Sequence, residues 1–156
     1  MRTTLLVIAL SVASLGTSQT AYAIDKQKML DAYFGIVLIR GHNNSGGLAY
    51  GSGVVVGKDK VITNCHVFRS TKEPWISRGE DTYEITSVKA DTWHDLCLVT
   101  TSPLPFKPVI IGKSTNLKRG QEIVAFGHSN GVPAPLTSNG SVKALYDDVS
   151  GKVIRS

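Results

Sequence analysis

Two neighbouring stretches decide the fold of this chain: Gly51-Ser52-Gly53-Val54-Val55-Val56 and Val61-Ile62-Thr63-Asn64-Cys65-His66-Val67. Both are rich in β-branched residues, which favour strands. The polar segment Gly57-Lys58-Asp59-Lys60 lies between them and has the composition of a tight turn. The sequence therefore predicts a β-hairpin. His66 follows its second strand at the rim of a sheet, where one ring nitrogen can meet a substrate and the other an orienting group.

Similar segments occur on both sides of this hairpin, and they predict an all-β fold. The first unit contains six candidate strands, at residues 35–40, 50–56, 61–64, 74–77, 83–89 and 96–100. Six short antiparallel strands can close into a barrel and so remove exposed edges. A short helix is predicted before them, at residues 26–33.

The second half of the chain contains fewer strand-like segments. Residues 102–108 include three prolines, which cannot donate ladder hydrogen bonds, and this segment is predicted to be a linker. Strand-like segments resume at residues 122–126, 138–145 and 152–154. We therefore expect a first barrel over residues 24–101 and a partial second barrel over residues 109–156.

The N-terminal residues have the profile of a signal peptide. An apolar run at residues 5–15 follows a single arginine, and the run is too short to cross about 30 Å of hydrocarbon. Small residues at Ala21 and Ala23 fit a signal-peptidase site. The sequence predicts that residues 1–23 are removed after Ala23, and that the protein is exported, periplasmic or secreted, without a membrane anchor.

Charge and composition argue against a nucleic-acid partner. The formal net charge is +5 at pH 7, but the basic residues are scattered and form no run that would follow a phosphate backbone. The only two cysteines are Cys65 and Cys97, and two thiols in an exported protein tend to pair.

The segment around His66 resembles the histidine motif of trypsin-like serine proteases, and in particular that of the bacterial Do-like, high-temperature-requirement branch. Asp95-Leu96-Cys97-Leu98-Val99 resembles the aspartate strand of the same family. This resemblance implies a chymotrypsin-like double β-barrel, with the first barrel complete and the second only partly present. It also implies a serine endopeptidase that acts on polypeptide substrates, uses His66 and Asp95 as catalytic residues, and needs no cofactor and no metal.

The resemblance also concerns the nucleophile and the second barrel. Residues 113–142 are similar to the opening of the second barrel, although His128-Ser129 stands where an Asn-Pro pair is usual, and His128 is expected to be a loop residue. The family places its serine in a Gly-x-Ser-Gly-Gly motif after the third strand of that barrel. No such motif follows here, so we expect an N-terminal fragment that is inactive by itself.

In the fold that this chain resembles, the aspartate lies beneath the histidine. Cys65 precedes His66, and Cys97 comes two residues after Asp95, so the resemblance implies that the two cysteines form a disulfide. Two buried free thiols remain the alternative reading.

The sequence leaves several competing assignments open. Asp91 is a rival for Asp95, but no apolar strand follows it directly. Ser45, in Asn43-Asn44-Ser45-Gly46-Gly47, imitates a nucleophile motif but lies before His66, in a predicted hairpin loop. The alternative function is an inactive secreted homologue that serves as a binding module.

A metal site is the third class of function. It would use two cysteines and two histidines: Cys65, His66, His94 and Cys97. This site is disfavoured because adjacent residues on an extended chain point to opposite faces.

Overall fold

Six antiparallel strands form a closed barrel in the order β1-β2-β3-β6-β5-β4 in the computed structural model, which describes residues 25–69, 71–148 and 151–155. The strands are β1 Ile36–His42, β2 Leu48–Gly57, β3 Lys60–Asn64, β4 Lys72–Arg78, β5 Asp81–Asp91 and β6 Leu96–Thr101. All six were predicted, and the first barrel is complete as expected. The predicted signal peptide, residues 1–23, lies outside the described residues.

The barrel interior is filled by β-branched side chains from alternate strand positions. Because side chains of a strand point alternately to opposite faces, one face of each strand supplies the core. Six side chains that are fully buried form this core: Val37, Ile39, Val55, Val61, Ile76 and Val99. Gly53 is required beside them, because a Cβ atom there would lie 2.6 Å from Val61 Cγ1.

Two helices flank the strands. Helix α1, Lys26–Phe34, matches the predicted helix and is capped by Asp25, whose Oδ1 accepts a hydrogen bond from the Gln27 amide at 2.9 Å. Helix α2, His66–Arg69, is a single turn that the sequence did not predict. No helix in the described parts of the chain is long and apolar enough to span a membrane.

The second unit consists of two hairpins. The first pairs β7, Glu122–Gly127, with β8, Leu136–Ser141, and the second pairs β9, Ala144–Asp148, with β10, Gly151–Arg155. This arrangement is a partial second sheet, in agreement with the prediction.

The predicted single strand at 138–145 is wrong, because the structure divides it between β8 and β9. The division occurs at Val142, which is 1% exposed. Its amide donates to Gln121 O at 2.9 Å, and its carbonyl accepts from the Gly120 amide at 2.7 Å. These contacts hold Val142 beside the turn before β7, and the chain then starts a new hairpin.

Candidate active site

Barrel closure brings His66 and Asp95 together although 29 residues separate them. His66 begins α2 directly after β3, and Asp95 directly precedes β6. The two strands are neighbours, with Asn64 paired to Leu96. The imidazole Nδ1 lies 2.6 Å from Asp95 Oδ2, and the His66 amide donates to Asp95 Oδ1 at 2.8 Å. Since a carboxylate can only accept, Nδ1 donates to Asp95, and in a neutral ring this leaves the lone pair on Nε2.

The backbone of Asp95 is held in an uncommon conformation. Its φ angle is 53°, in the left-handed region that Asp and Asn tolerate better than most residues. The Asp95 carbonyl accepts two hydrogen bonds, from the Asn64 side-chain amide and the Cys65 backbone amide, each at 3.1 Å. These bonds tie the turn before β6 to the end of β3, and they aim the carboxylate at the imidazole.

The charge of Asp95 is stabilised by its neighbours. The hydrogen bond from the His66 side chain lowers the pKa of Asp95, and the His66 amide, the His66 charge and the Arg69 charge lower it further, while desolvation opposes them. The Arg69 guanidinium lies 3.9 Å from Asp95 Oδ1. The side chain of His66 is 61% exposed and that of Asp95 is 32% exposed, so the pair is open to an incoming substrate.

A disulfide joins Cys65 to Cys97, with an S–S distance of 2.09 Å and a Cα–Cα distance of 5.0 Å. Both cysteines are buried, at 5% and 2% exposure. Cys97 pairs with Thr63 across the β3–β6 ladder, so the disulfide reinforces the strands that carry His66 and Asp95. Because both sulfurs are bonded to each other, neither is available as a thiolate ligand for a metal.

Asp91, the rival carboxylate, has a histidine partner of its own. The Nδ1 atom of His94 lies 2.7 Å from Asp91 Oδ2, and the His94 amide donates to Asp91 Oδ1 at 3.2 Å. The hydrogen bond from the His94 side chain is the main cause of a lowered pKa at Asp91. The structure therefore contains two histidine–aspartate pairs with the same bonding pattern, and Asp91 is engaged in the local one.

The other two residues discussed from the sequence lie in loops. Ser45 is in the turn between β1 and β2, where its hydroxyl donates to Asn43 Oδ1 at 2.8 Å. His128 directly follows β7, is 5% exposed, and donates from its backbone amide to Ser52 Oγ at 2.8 Å. His128 therefore belongs to the contact between the second unit and the barrel.

Sequence reasoning missed Arg69 and the pairing of Asp91 with His94. The signals were nevertheless in the sequence. Arg69 comes three residues after His66, which is the spacing of neighbours on a helix. Asp91 comes three residues before His94, the spacing at which an aspartate side chain accepts from a turn amide. Either spacing is informative only once it is known that the chain turns after His66 and after Asp91.

Comparison with protein families gives one match over most of the chain. A family model described as a trypsin-like peptidase domain matches residues 51–156. Serine protease Rv3671c of Mycobacterium tuberculosis is 28% identical over 81 residues, which cover 52% of this chain and 20% of that protein. Anti-sigma-I factor RsgI9 of Acetivibrio thermocellus is 32% identical over 117 residues, which cover 72% of this chain and 16% of that protein. The chain thus spans about a fifth or less of the length of these relatives.

Solved structures share the fold. The crystal structure of the active form of the Rv3671c protease from M. tuberculosis has a TM-score of 0.68 at 22% identity, over 82% of this chain and 59% of that chain. The HtrA-type protease AlgW with a tripeptide has a TM-score of 0.65 at 16% identity, over 77% of this chain and 40% of that chain. The closed barrel and the partial second sheet therefore form a chymotrypsin-like fold, as predicted.

Proposed function

The chain belongs to the trypsin-like peptidase family, and from this premise we propose that it is the part of an exported serine endopeptidase that carries the catalytic histidine and aspartate. The observation that supports this assignment most strongly is the contact of 2.6 Å between His66 Nδ1 and Asp95 Oδ2. It joins the two residues whose motifs match the family. The substrates are polypeptides, and the nucleophile is a serine.

His66 acts as the general base. With its Nδ1 proton donated to Asp95, the Nε2 lone pair accepts the proton of the serine hydroxyl as that oxygen attacks the peptide carbonyl. The imidazolium then protonates the leaving amine. Water next attacks the acyl-enzyme, and the histidine again accepts and then donates a proton. In the described part of the chain no serine side chain is hydrogen-bonded to His66, whose bonds are those to Asp95.

Asp95 acts as the residue that orients the histidine. It accepts from both the amide and the ring of His66, which fixes the ring plane and the tautomer. Its lowered pKa means that it keeps its charge to a lower pH than an ordinary aspartate. The stabilisation from this pair is therefore fully present above the ordinary aspartate pKa, and it is lost as pH falls through the lowered value.

Export and domain organisation are part of the same proposal. Residues 1–23 have the pattern of a cleaved signal peptide, and a disulfide between Cys65 and Cys97 is stable in the oxidising compartments that exported proteins reach. The first barrel covers residues 24–101, the linker 102–108, and the second unit begins at residue 109. The mature chain begins after Ala23 and is periplasmic or secreted.

The direct test replaces each histidine of the two pairs in the complete protein. The His66→Ala change should lower kcat/KM for an unfolded protein such as casein by roughly a thousandfold or more, because the base is lost. The matched control is His94→Ala, which removes a histidine bonded in the same way to Asp91 and should leave kcat/KM within about twofold of the parent. Near-normal hydrolysis by the His66→Ala protein, with an unchanged circular dichroism spectrum, would contradict the proposal.

A binding module without hydrolytic activity is the second candidate function. Its support is that one relative, 32% identical over 117 residues, is named as an anti-sigma-I factor and not as a protease. A fluorophosphonate probe distinguishes the two candidates, because it labels an activated serine covalently. Labelling of the complete protein, lost with His66→Ala, supports the protease. A complete protein that takes no label and cleaves no casein supports the binding module.

A further inference from the structure

Three polar side-chain atoms are buried without a hydrogen-bond partner in the described part of the chain: Arg40 Nε, Ser77 Oγ and His128 Nε2. Ser77 is 2% exposed and His128 is 5% exposed. Burying a polar atom without a partner is costly, and most such atoms are satisfied by protein, solvent or a bound group. These atoms are therefore free to hydrogen-bond a small polar group.

The strand register places Arg40 and Ser77 beside Leu38, and a hydrogen bond places His128 over the same face. Leu38 of β1 pairs with Ser52 of β2 on one side and with Ser77 of β4 on the other. Arg40 comes two residues after Leu38, and so it lies on the same face of β1. His128 covers this face, because its amide donates to Ser52 Oγ at 2.8 Å. Leu38 itself is 1% exposed beneath them.

The His128 ring has a fixed orientation. Its Nδ1 lies 2.8 Å from the Val132 carbonyl, so Nδ1 donates and Nε2 is the ring atom left without a partner. Burial is the main cause of the lowered pKa of His128, and the positive charges of Arg40 and Arg78 lower this pKa further. The hydrogen bond to the Val132 carbonyl acts in the opposite direction and raises it. Both guanidinium charges therefore act on this ring, and no nearby carboxylate is among the causes.

The β4–β5 register places one acidic residue, Asp81, opposite Arg78. In the described residues neither Arg40 nor Arg78 forms a salt bridge. Arg78 donates to the Phe34 carbonyl and lies over the Phe106 ring at 4.5 Å from its centroid. Two tyrosines are also neighbours of these groups: Tyr83 of β5, on which the Arg78 charge acts, and Tyr50 of β2, whose ring packs against Gly131 in the turn after His128.

We propose that the joint formed by Arg40, Ser77 and His128 binds a small inorganic anion such as chloride, taken up together with a proton on His128. With His128 protonated, its Nε2–H, the Arg40 Nε–H and the Ser77 hydroxyl are all donors, and an anion accepts from them. With His128 neutral, its Nε2 lone pair repels an anion. One proton and one anion enter together, so the net charge of the joint does not change.

This site would link acidity to the contact between the barrel and the β7–β8 hairpin. A histidine whose pKa is lowered by folding favours the neutral form, so its contribution to stability is present above the ordinary histidine pKa and is lost as pH falls through the lowered value. A bound anion opposes this loss because it stabilises the protonated ring. Chloride should therefore matter to the fold in mild acid and have little effect at pH 8.

The test measures chloride binding directly on the complete protein. The ³⁵Cl NMR line width of a chloride solution should increase when the protein is added at about pH 5, and this excess should fall roughly tenfold or more at about pH 8. The variant His128→Asn keeps a side-chain donor for the Val132 carbonyl and removes the titrating Nε2, so it should abolish the excess. The control His94→Asn removes an exposed histidine and should leave it unchanged.

A second measurement covers the case in which the His128→Asn chain does not fold. In the parent chain at about pH 5, sodium chloride should raise the thermal midpoint above that in sodium gluconate at equal ionic strength, and at pH 8 the two salts should give the same midpoint. The more conservative variant Ser77→Ala should reduce the chloride effect. An excess line width that is equal at both pH values, or equal in the parent and His128→Asn chains, would overturn the proposal. These readouts do not depend on protease activity.

Discussion

The two histidine–aspartate pairs of this molecule have the same hydrogen-bond pattern, but they differ in how far apart the paired residues are in the sequence. In each, one carboxylate oxygen accepts from the histidine amide and the other faces the imidazole Nδ1, at 2.6 Å for His66–Asp95 and 2.7 Å for His94–Asp91. The first pair joins residues 29 apart, and the second joins residues three apart. The hydrogen-bond pattern alone therefore does not identify a catalytic pair.

The difference lies in what each pair requires of the fold. His94–Asp91 needs only a turn, because an aspartate side chain readily accepts from the amides that follow it. His66–Asp95 needs the β3–β6 register, a left-handed Asp95 and two hydrogen bonds to the Asp95 carbonyl. Residues held in sparsely populated backbone conformations cluster at active sites, and the left-handed Asp95 is one of them.

The largest effect that separates the two pairs is expected in catalysis. In the complete protein, Asp95→Asn should lower kcat by on the order of a thousandfold or more, because an amide that donates to the imidazole favours the wrong tautomer. Asn also tolerates the left-handed conformation of residue 95, so the fold should be preserved. The matched variant Asp91→Asn should leave kcat within about twofold of the parent. Equal losses in the two variants would remove the functional distinction between the pairs.

The strands of the barrel could be predicted from the sequence because β-branched runs and turn residues alternate regularly along it. His66 and Asp95 were predicted by resemblance, since their motifs are local in sequence. Their contact could not be derived from the residues alone, because it depends on the pairing of Asn64 with Leu96. Helix α2 was missed because four residues are too few for a helical period to be visible.

The second unit was predicted less accurately, for a physical reason. The segment 138–145 carries little strand propensity at Asn139 and Gly140, and its division at Val142 accompanies long-range hydrogen bonds to residues 120–121. The role of His128 at the joint likewise depends on a contact with Ser52, 76 residues away. Propensity describes local preference, so it does not predict where a tertiary contact ends a strand.

An effect of intermediate size is expected from the disulfide between Cys65 and Cys97, which joins the residue before His66 to the strand that follows Asp95. The double variant Cys65→Ser/Cys97→Ser should lower the free energy of unfolding by about 3 to 4 kcal/mol in the chain-entropy model, measured by denaturation in guanidinium chloride. The Nδ1 proton of His66 should then exchange faster with solvent in NMR spectra, and that of His94 should not change. Mass measurement of the parent chain under non-reducing conditions provides the control, and two alkylatable thiols would contradict the disulfide.

The smallest effect concerns the charges of the two aspartates. Carboxyl ¹³C NMR titration of the chain should give both Asp95 and Asp91 a pKa below the ordinary aspartate value, chiefly because each accepts from a histidine side chain. The change His66→Ala should raise the pKa of Asp95 towards its ordinary value and leave that of Asp91 unchanged. The change His94→Ala should do the reverse.

The two titrations should differ in one respect that follows from the neighbours of Asp95. The Arg69 guanidinium lies 3.9 Å from its carboxylate, and no arginine is among the causes of the shift at Asp91. The change Arg69→Gln should therefore raise the pKa of Asp95 slightly and leave that of Asp91 unchanged, and added salt should reduce the difference. If Arg69→Gln shifted both carboxyls alike, the change would report an altered fold and not a local charge. In that case the Arg69 charge would no longer distinguish the His66–Asp95 pair from the His94–Asp91 pair.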